Sequence, residues 1–125
     1  MSIQNKKKTL VNIKDICHLG KCHSEIQNQF GIVSECLNEI DSEYGFNIFN
    51  GMNSKISKLD NIKKLTDFNT TQAYLAKITM IINDFNKIEP TLIKLVDAQS
   101  GDNYLNEQVL ILKESLVEIS DLLKP

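Results

Sequence analysis

Residues 26–44 read IQNQFGIVSECLNEIDSEY, and their apolar side chains recur at alternating intervals of four and three residues. This period places one apolar residue on the same side of an α-helix at every turn. Residues 105–123, LNEQVLILKESLVEISDLL, repeat the rhythm near the end of the chain. The two apolar seams comprise Ile26, Phe30, Val33, Leu37, Ile40 and Tyr44, and Leu105, Val109, Leu112, Leu116, Ile119 and Leu123. They predict an all-α fold whose helices pack side by side.

The composition of the whole chain fits the same fold class. It has 125 residues, 42 % hydrophobic and 24 % charged, with only 5 Gly and 2 Pro. The length suits one domain, and so few turn formers exclude a sandwich or barrel of many short strands. We therefore predict an up-and-down (antiparallel) bundle of four to five helices over residues 9–125. A flexible basic tail at residues 1–8 precedes this single domain.

The helix boundaries in the first half depend on glycines and capping residues. A short helix is predicted from about Thr9, with Gly20 as its interruption, although one kinked helix over residues 9–44 fits the spacing equally well. Ser24 followed by Gln27 matches a capping box, and Gly45 suits the end of that helix. A shorter helix is predicted over residues 52–62.

Proline decides how the second half is divided. The apolar positions 74, 78, 81, 85, 88, 92 and 95 keep their helical rhythm across Pro90. We therefore predict one helix over about residues 70–99, capped by Asn69 and kinked at Pro90. The alternative is a new helix with Pro90 at its first position. Asp102 or Asn103 is the predicted cap of the last helix.

Charge and cysteine content indicate a class of protein and a compartment. The chain carries 14 Lys, no Arg and a net charge of −2. Because arginine dominates base and phosphate recognition, we expect no nucleic-acid partner.

The longest apolar run, residues 109–112, is too short to span a bilayer. Three cysteines (Cys17, Cys22, Cys36) and no secretion leader predict a cytoplasmic protein with reduced thiols. The abundance of Lys, Asn and Ile, which have AT-rich codons, suggests a bacterial or phage gene.

Residues 17–23, CHLGKCH, form the densest group of soft metal ligands in the sequence. On a helix, His18 and Cys22 lie one turn apart and reach a shared metal ion. Structural zinc needs four ligands, and the chain offers no second ligand pair, so we predict no resident metal or cofactor. With two His and no phosphate loop or ordered acid–base pair, the sequence also predicts that the protein is not an enzyme.

Acidic residues are concentrated in one segment. Glu35, Glu39 and Glu43 follow each other at one-turn intervals, and no Lys occurs between Cys22 and Ser54. This pattern predicts a surface that recognises a basic protein partner through electrostatic steering. The alternative is that lysines of neighbouring helices neutralise the carboxylates.

The last helix has a broader apolar side than its seam requires. Leu110 and Val117 lie beside the seam, seven residues apart. Such a helix either touches two neighbours or meets a second copy of the chain, so we predict a possible homodimer contact at these two residues.

Together these features predict a non-enzymatic helical bundle that binds another polypeptide, of the immunity, antitoxin, secretion-chaperone or inhibitor type. The alternative is a small metal- or ligand-binding bundle that uses the His18/Cys22 region. Neither interpretation includes a membrane as partner.

Overall fold

The computed structural model describes residues 13–45, 49–99 and 101–124, and these ranges contain helices and no strand. Four helices pack together: α1 (Ile13–Tyr44), α2 (Asn50–Leu59), α3 (Phe68–Ala98) and α4 (Asn103–Leu122). The all-α prediction is confirmed. The predicted tail at residues 1–8 and the predicted start at Thr9 lie outside the described residues. Within these ranges, no helix combines the length and the apolar character that crossing a bilayer requires.

The two apolar seams lie in one hydrophobic core. Side chains of both seams are at most 1 % exposed at Ile26, Phe30, Val33, Leu37, Ile40, Leu105, Leu112, Leu116 and Ile119. The remaining seam residues, Tyr44, Val109 and Leu123, pack against this core from its edge. The alternation of three and four residues therefore identified the buried sides of α1 and α4.

Helices α1 and α4 are antiparallel neighbours joined at both ends. At one end, the Tyr44 hydroxyl donates to the Asp102 carboxylate over 2.6 Å. At the other, Nε2 of His18 lies 2.7 Å from the carbonyl oxygen of Leu122. Since the start of each helix meets the end of the other, α4 runs back along most of α1.

Helices α1 and α2 are also antiparallel. The Gln27 side-chain amide donates to the Leu59 carbonyl over 3.1 Å. Further along α1, Asn38 accepts from the Asn53 amide at 3.5 Å. The later residue of α1 thus meets the earlier residue of α2.

Helix α1 is continuous through Gly20, so the predicted interruption there is wrong and the alternative of one helix holds over residues 13–44. Glycine inside a helix costs about 1 kcal/mol relative to alanine, which packing of the flanking turns outweighs. Ser24 lies inside α1 and caps no helix. The predicted end at Gly45 is confirmed: its φ is +62°, and its N–H donates to the Asp41 carbonyl over 2.8 Å.

Helix α3 is continuous through Pro90, which confirms one helix over the alternative of two. Buried residues on both sides of the proline, among them Phe85 and Leu92, hold both halves against the core. The predicted cap at Asn69 is wrong, because the Asp67 carboxylate accepts the Thr70 N–H over 2.7 Å and α3 begins at Phe68.

Helix α4 begins directly after Asp102, which is one of the two predicted N-cap residues. The Asp102 carboxylate accepts the Leu105 N–H over 3.0 Å.

Candidate functional site

His18 and Cys22 lie together, as their one-turn spacing predicts. The Cys22 Sγ is 3.7 Å from Nε2 and 4.0 Å from Nδ1 of His18. A carbonyl oxygen only accepts hydrogen bonds, so Nε2 carries the proton that is donated to Leu122. Burial, followed by the nearby charge of Glu25, raises the pKa of Cys22, so the sulfur is a protonated thiol at neutral pH.

The described residues around this pair are expected to include no further metal ligands. No group of three or more His, Cys, Asp or Glu side chains with metal-binding geometry occurs among the described residues. Cys17 is exposed on a different side of α1, and the His23 ring packs edge-on against Tyr74 with centroids 5.1 Å apart. The contact between His18 and the Leu122 carbonyl joins the start of α1 to the end of α4.

A second polar contact, which the sequence did not indicate, lies where three helices meet. The Tyr74 hydroxyl donates to the Gln27 side-chain oxygen over 3.1 Å, while the Gln27 amide binds the Leu59 carbonyl. Tyr74 is fully buried, and burial raises the pKa of its phenol. Because Gln27 of α1 binds partners from both α2 and α3, this cluster joins the three helices.

The predicted acidic residues of α1 face solvent. Glu35 and Glu43 are exposed, and Glu39 is half-buried. Among the residues that the structure describes, no ion pair includes any of these three carboxylates. The alternative in which neighbouring lysines neutralise them therefore finds no support in the described ion pairs.

Tyr104 of α4 extends this acidic region across the α1–α4 boundary. Burial, then a hydrogen bond to Glu39, raises the pKa of the Tyr104 phenol. The Tyr104 ring itself is 42 % exposed. A large apolar ring thus lies beside the carboxylates, in contact with solvent.

Heptad spacing brings further residues to the same sides of the two helices. Glu25, Ile32 and Glu39 are seven residues apart on α1, and Glu118 follows Tyr104 by fourteen residues on α4. Ile32 is 37 % exposed. We use the name acidic surface for the carboxylates of this region: Glu25, Glu35, Glu39, Glu43 and Glu118.

Carboxylates in other parts of the fold do meet lysines. Asp84 of α3 pairs with Lys55 of α2. Glu89 of α3, whose side chain is 8 % exposed, pairs with Lys113 of α4 over 2.9 Å. Among the described residues, the carboxylates at one-turn intervals on the acidic surface thus differ from Asp84 and Glu89 in having no lysine as ion-pair partner.

The two residues predicted for self-association lie in different surroundings. Leu110 is 56 % exposed, more than any other large apolar side chain that the structure describes. Val117 is half-buried and packs against the core, because α4 is covered on that side. Helical periodicity placed both beside the seam but could not separate the covered residue from the exposed one.

Two features of this chain thus have functional potential: the acidic surface with Ile32 and Tyr104, and the exposed Leu110. Comparison with protein-family models, curated protein sequences and solved structures finds no match for the chain.

Proposed function

We propose that this protein is a non-enzymatic cytoplasmic protein that binds a basic polypeptide through its acidic surface. An immunity protein, antitoxin, secretion chaperone or inhibitor of bacterial or phage origin acts in this way. The observation that carries the proposal is the set of one-turn-spaced carboxylates at Glu35, Glu39 and Glu43, for which no described residue supplies an ion pair.

The one-turn spacing of these carboxylates affects both the stability of α1 and the electrostatic field around it. Each like-charged pair one turn apart destabilises an isolated helix by about 0.2–0.5 kcal/mol. The same three carboxylates concentrate negative electrostatic potential on one side of the molecule. Such a field accelerates association with a positively charged partner and disfavours acidic competitors.

Apolar contacts supply the part of binding that charge alone does not. Ile32 and Tyr104 are 37 % and 42 % exposed within the acidic surface. Protein interfaces combine a few apolar or aromatic anchors with a polar, charged rim, and tyrosine is enriched among the anchors. The partner surface we propose therefore has lysines or arginines around at least one apolar side chain.

The scaffold under this surface is proposed to be an up-and-down bundle with a kink in α3. The antiparallel α1–α2 and α1–α4 pairs support that topology. Pro90 supplies no N–H to the helix that contains it, which supports a bend at that position.

The experiment is a comparative capture from a lysate of the native host with quantitative mass spectrometry. The double variant Glu35→Gln/Glu43→Gln removes two charges and leaves the contact between Glu39 and Tyr104 intact. The matched control Asp60→Asn/Asp97→Asn removes two exposed charges away from the acidic surface. All baits are first shown to have the same helical circular dichroism.

We expect a basic polypeptide to be enriched on the wild-type and control baits and depleted on the Glu35/Glu43 bait. Raising the salt concentration should release it from the two competent baits, because screening weakens the attraction. Equal capture by all three baits would refute a role for the acidic surface.

A further inference from the structure

The outer side of the α1–α4 contact forms a groove whose two walls can be aligned residue by residue. Glu39 of α1 accepts a hydrogen bond from the Tyr104 hydroxyl of α4, which sets the register of the two helices. Because the helices are antiparallel, seven residues back along α1 correspond to seven residues forward along α4, and each step returns to the same side of its helix. The next pair along the groove is therefore Ile32 with Ile111.

One further step of seven residues pairs Glu25 with Glu118. The helices remain neighbours over this whole length, since the His18 ring contacts the Leu122 carbonyl beyond that pair. We use the name α1–α4 groove for the line of three residues on each helix: Glu25, Ile32 and Glu39 on α1, and Tyr104, Ile111 and Glu118 on α4.

The middle of the α1–α4 groove is apolar and partly open to solvent. Ile32 is 37 % exposed, and the Tyr104 ring is 42 % exposed. Ile111 is half-buried and packs against the core. An apolar side chain that covers these three residues removes apolar surface from water on both partners, which stabilises the complex.

Carboxylates border this apolar centre on both helices. Glu35 is exposed on the outer side of α1, and Glu107 and Glu114 are exposed three residues after Tyr104 and Ile111 on α4. The described ion pairs include none of these three carboxylates. An occupant of the groove therefore gains from Lys or Arg along both of its edges and is disfavoured by Asp or Glu there.

The negatively charged part of the groove has a defined length. At one end, Glu43 lies in the last turn of α1. At the other, the sign of the charge changes, because Lys21 lies one turn before Glu25 and Lys14 seven residues before Lys21. Between Glu25 and Glu43, α1 rises by about 27 Å, which is the length of a helix of about 18 residues.

The spacing along the groove favours an α-helix over an extended chain as its occupant. Successive groove residues of one helix are about 10 Å apart. In a helix, side chains seven residues apart lie on one side at this same distance, so a central apolar residue and two flanking cations match the groove. In an extended chain, about 10 Å corresponds to three residues, whose side chains point to opposite faces.

We propose that the α1–α4 groove binds a basic amphipathic α-helix of about 18 residues, with an apolar side chain on Ile32 and Ile111 and a Lys or Arg seven residues to either side. One cation then meets Glu39, and the other meets Glu25 and Glu118. This inference rests on the proposed function, because it specifies the partner of the same surface.

The test uses three fluorescently labelled synthetic peptides of about 18 residues. The first has Leu at its centre and Lys seven residues to either side, with further Leu and Lys one turn away on the same side of the helix. The second has the same composition, with its lysines moved to the opposite side. The third is the first sequence with a Pro at a central position of the opposite side, which breaks the helix.

We expect the first peptide to bind about tenfold more tightly than the other two in fluorescence anisotropy, and to gain helical circular dichroism on binding. Ile32→Lys should weaken its binding about tenfold, because it removes the apolar centre of the groove and adds a positive charge. Ile93→Lys is the matched control, since Ile93 is 47 % exposed on α3, and this variant should bind like wild type. Both variants are first shown to have wild-type circular dichroism.

Two kinds of result would overturn the helix-in-groove proposal. One is equal binding of all three peptides, or no binding of the first. The other is an Ile32→Lys variant that binds the first peptide as tightly as Ile93→Lys does. The proposed function would survive either result if a basic polypeptide is still depleted on the Glu35→Gln/Glu43→Gln bait, and equal capture by all baits would refute that function separately.

Discussion

Two leucines of α4, separated by one residue, give the sharpest test of how the helices pack. Leu112 is fully buried in the core, whereas Leu110 is 56 % exposed. Replacing each by alanine removes the same atoms from the same helix, so the change in helix propensity is equal. Any difference between the two variants in the free energy of unfolding reports packing alone.

The expected magnitude for Leu112→Ala follows from its burial. Buried Leu→Ala substitutions cost about 2–5 kcal/mol, which combines lost transfer free energy with the cavity that is left. A fully enclosed position between α1 and the rest of the core belongs in the middle of that range, about 3 kcal/mol. That is a large share of the ~5–15 kcal/mol by which domains are stable. Leu110→Ala should stay within about 0.5 kcal/mol of wild type.

The assay is urea unfolding followed by circular dichroism. We expect a much lower midpoint for Leu112→Ala, with unchanged slope. Similar losses for both variants, or a loss below about 1 kcal/mol for Leu112→Ala, would contradict the burial of the α4 seam.

Three further predictions concern helix interiors and ends. Gly31→Ala should stabilise the protein by up to about 1 kcal/mol in urea unfolding, because an added Cβ has no atom within 4 Å. Gly45→Ala should destabilise it by about 1–2 kcal/mol, because the φ of +62° strains any residue with a Cβ. Tyr44→Phe should flatten the dependence of stability on pH at both extremes. The bond from Tyr44 lowers the pKa of Asp102, so its contribution is present above the ordinary pKa of aspartate and is lost as pH falls through the lowered value. The same bond raises the pKa of Tyr44 from 10.0 to about 12, so the contribution is lost again as pH rises through that value. Thermal melts of wild type and Tyr44→Phe from acid to alkaline pH would show equal profiles if the bond were absent.

The apolar seams could be predicted from the sequence because helical period alone determines which residues face the core. Capping was less predictable. Asp67 and Asn69 are both strong N-capping residues, and only the packing of α3 decides at which of them the helix begins. Gln27 illustrates the same limit: its amide binds groups from α2 and α3 that lie 32 and 47 residues away in sequence.

The candidate surfaces were also predictable only in part from the sequence. Glu35, Glu39 and Glu43 could be recognised from their spacing, which is a property of one helix. The contact of Tyr104 with Glu39 depends on how two helices are aligned. Val117 could not be distinguished from Leu110, because both lie on the flank of one seam and only tertiary packing covers one of them.

The most direct test of the proposed binding role is the affinity of the captured polypeptide, measured by calorimetry at low and at high salt. We expect Glu35→Gln/Glu43→Gln to weaken binding about tenfold at low salt and much less at high salt, because the lost attraction is screened there. Asp60→Asn/Asp97→Asn should bind like wild type at both salt concentrations. An affinity that both double variants reduce equally, or a loss that does not depend on salt, would show that the acidic surface is not where the partner binds.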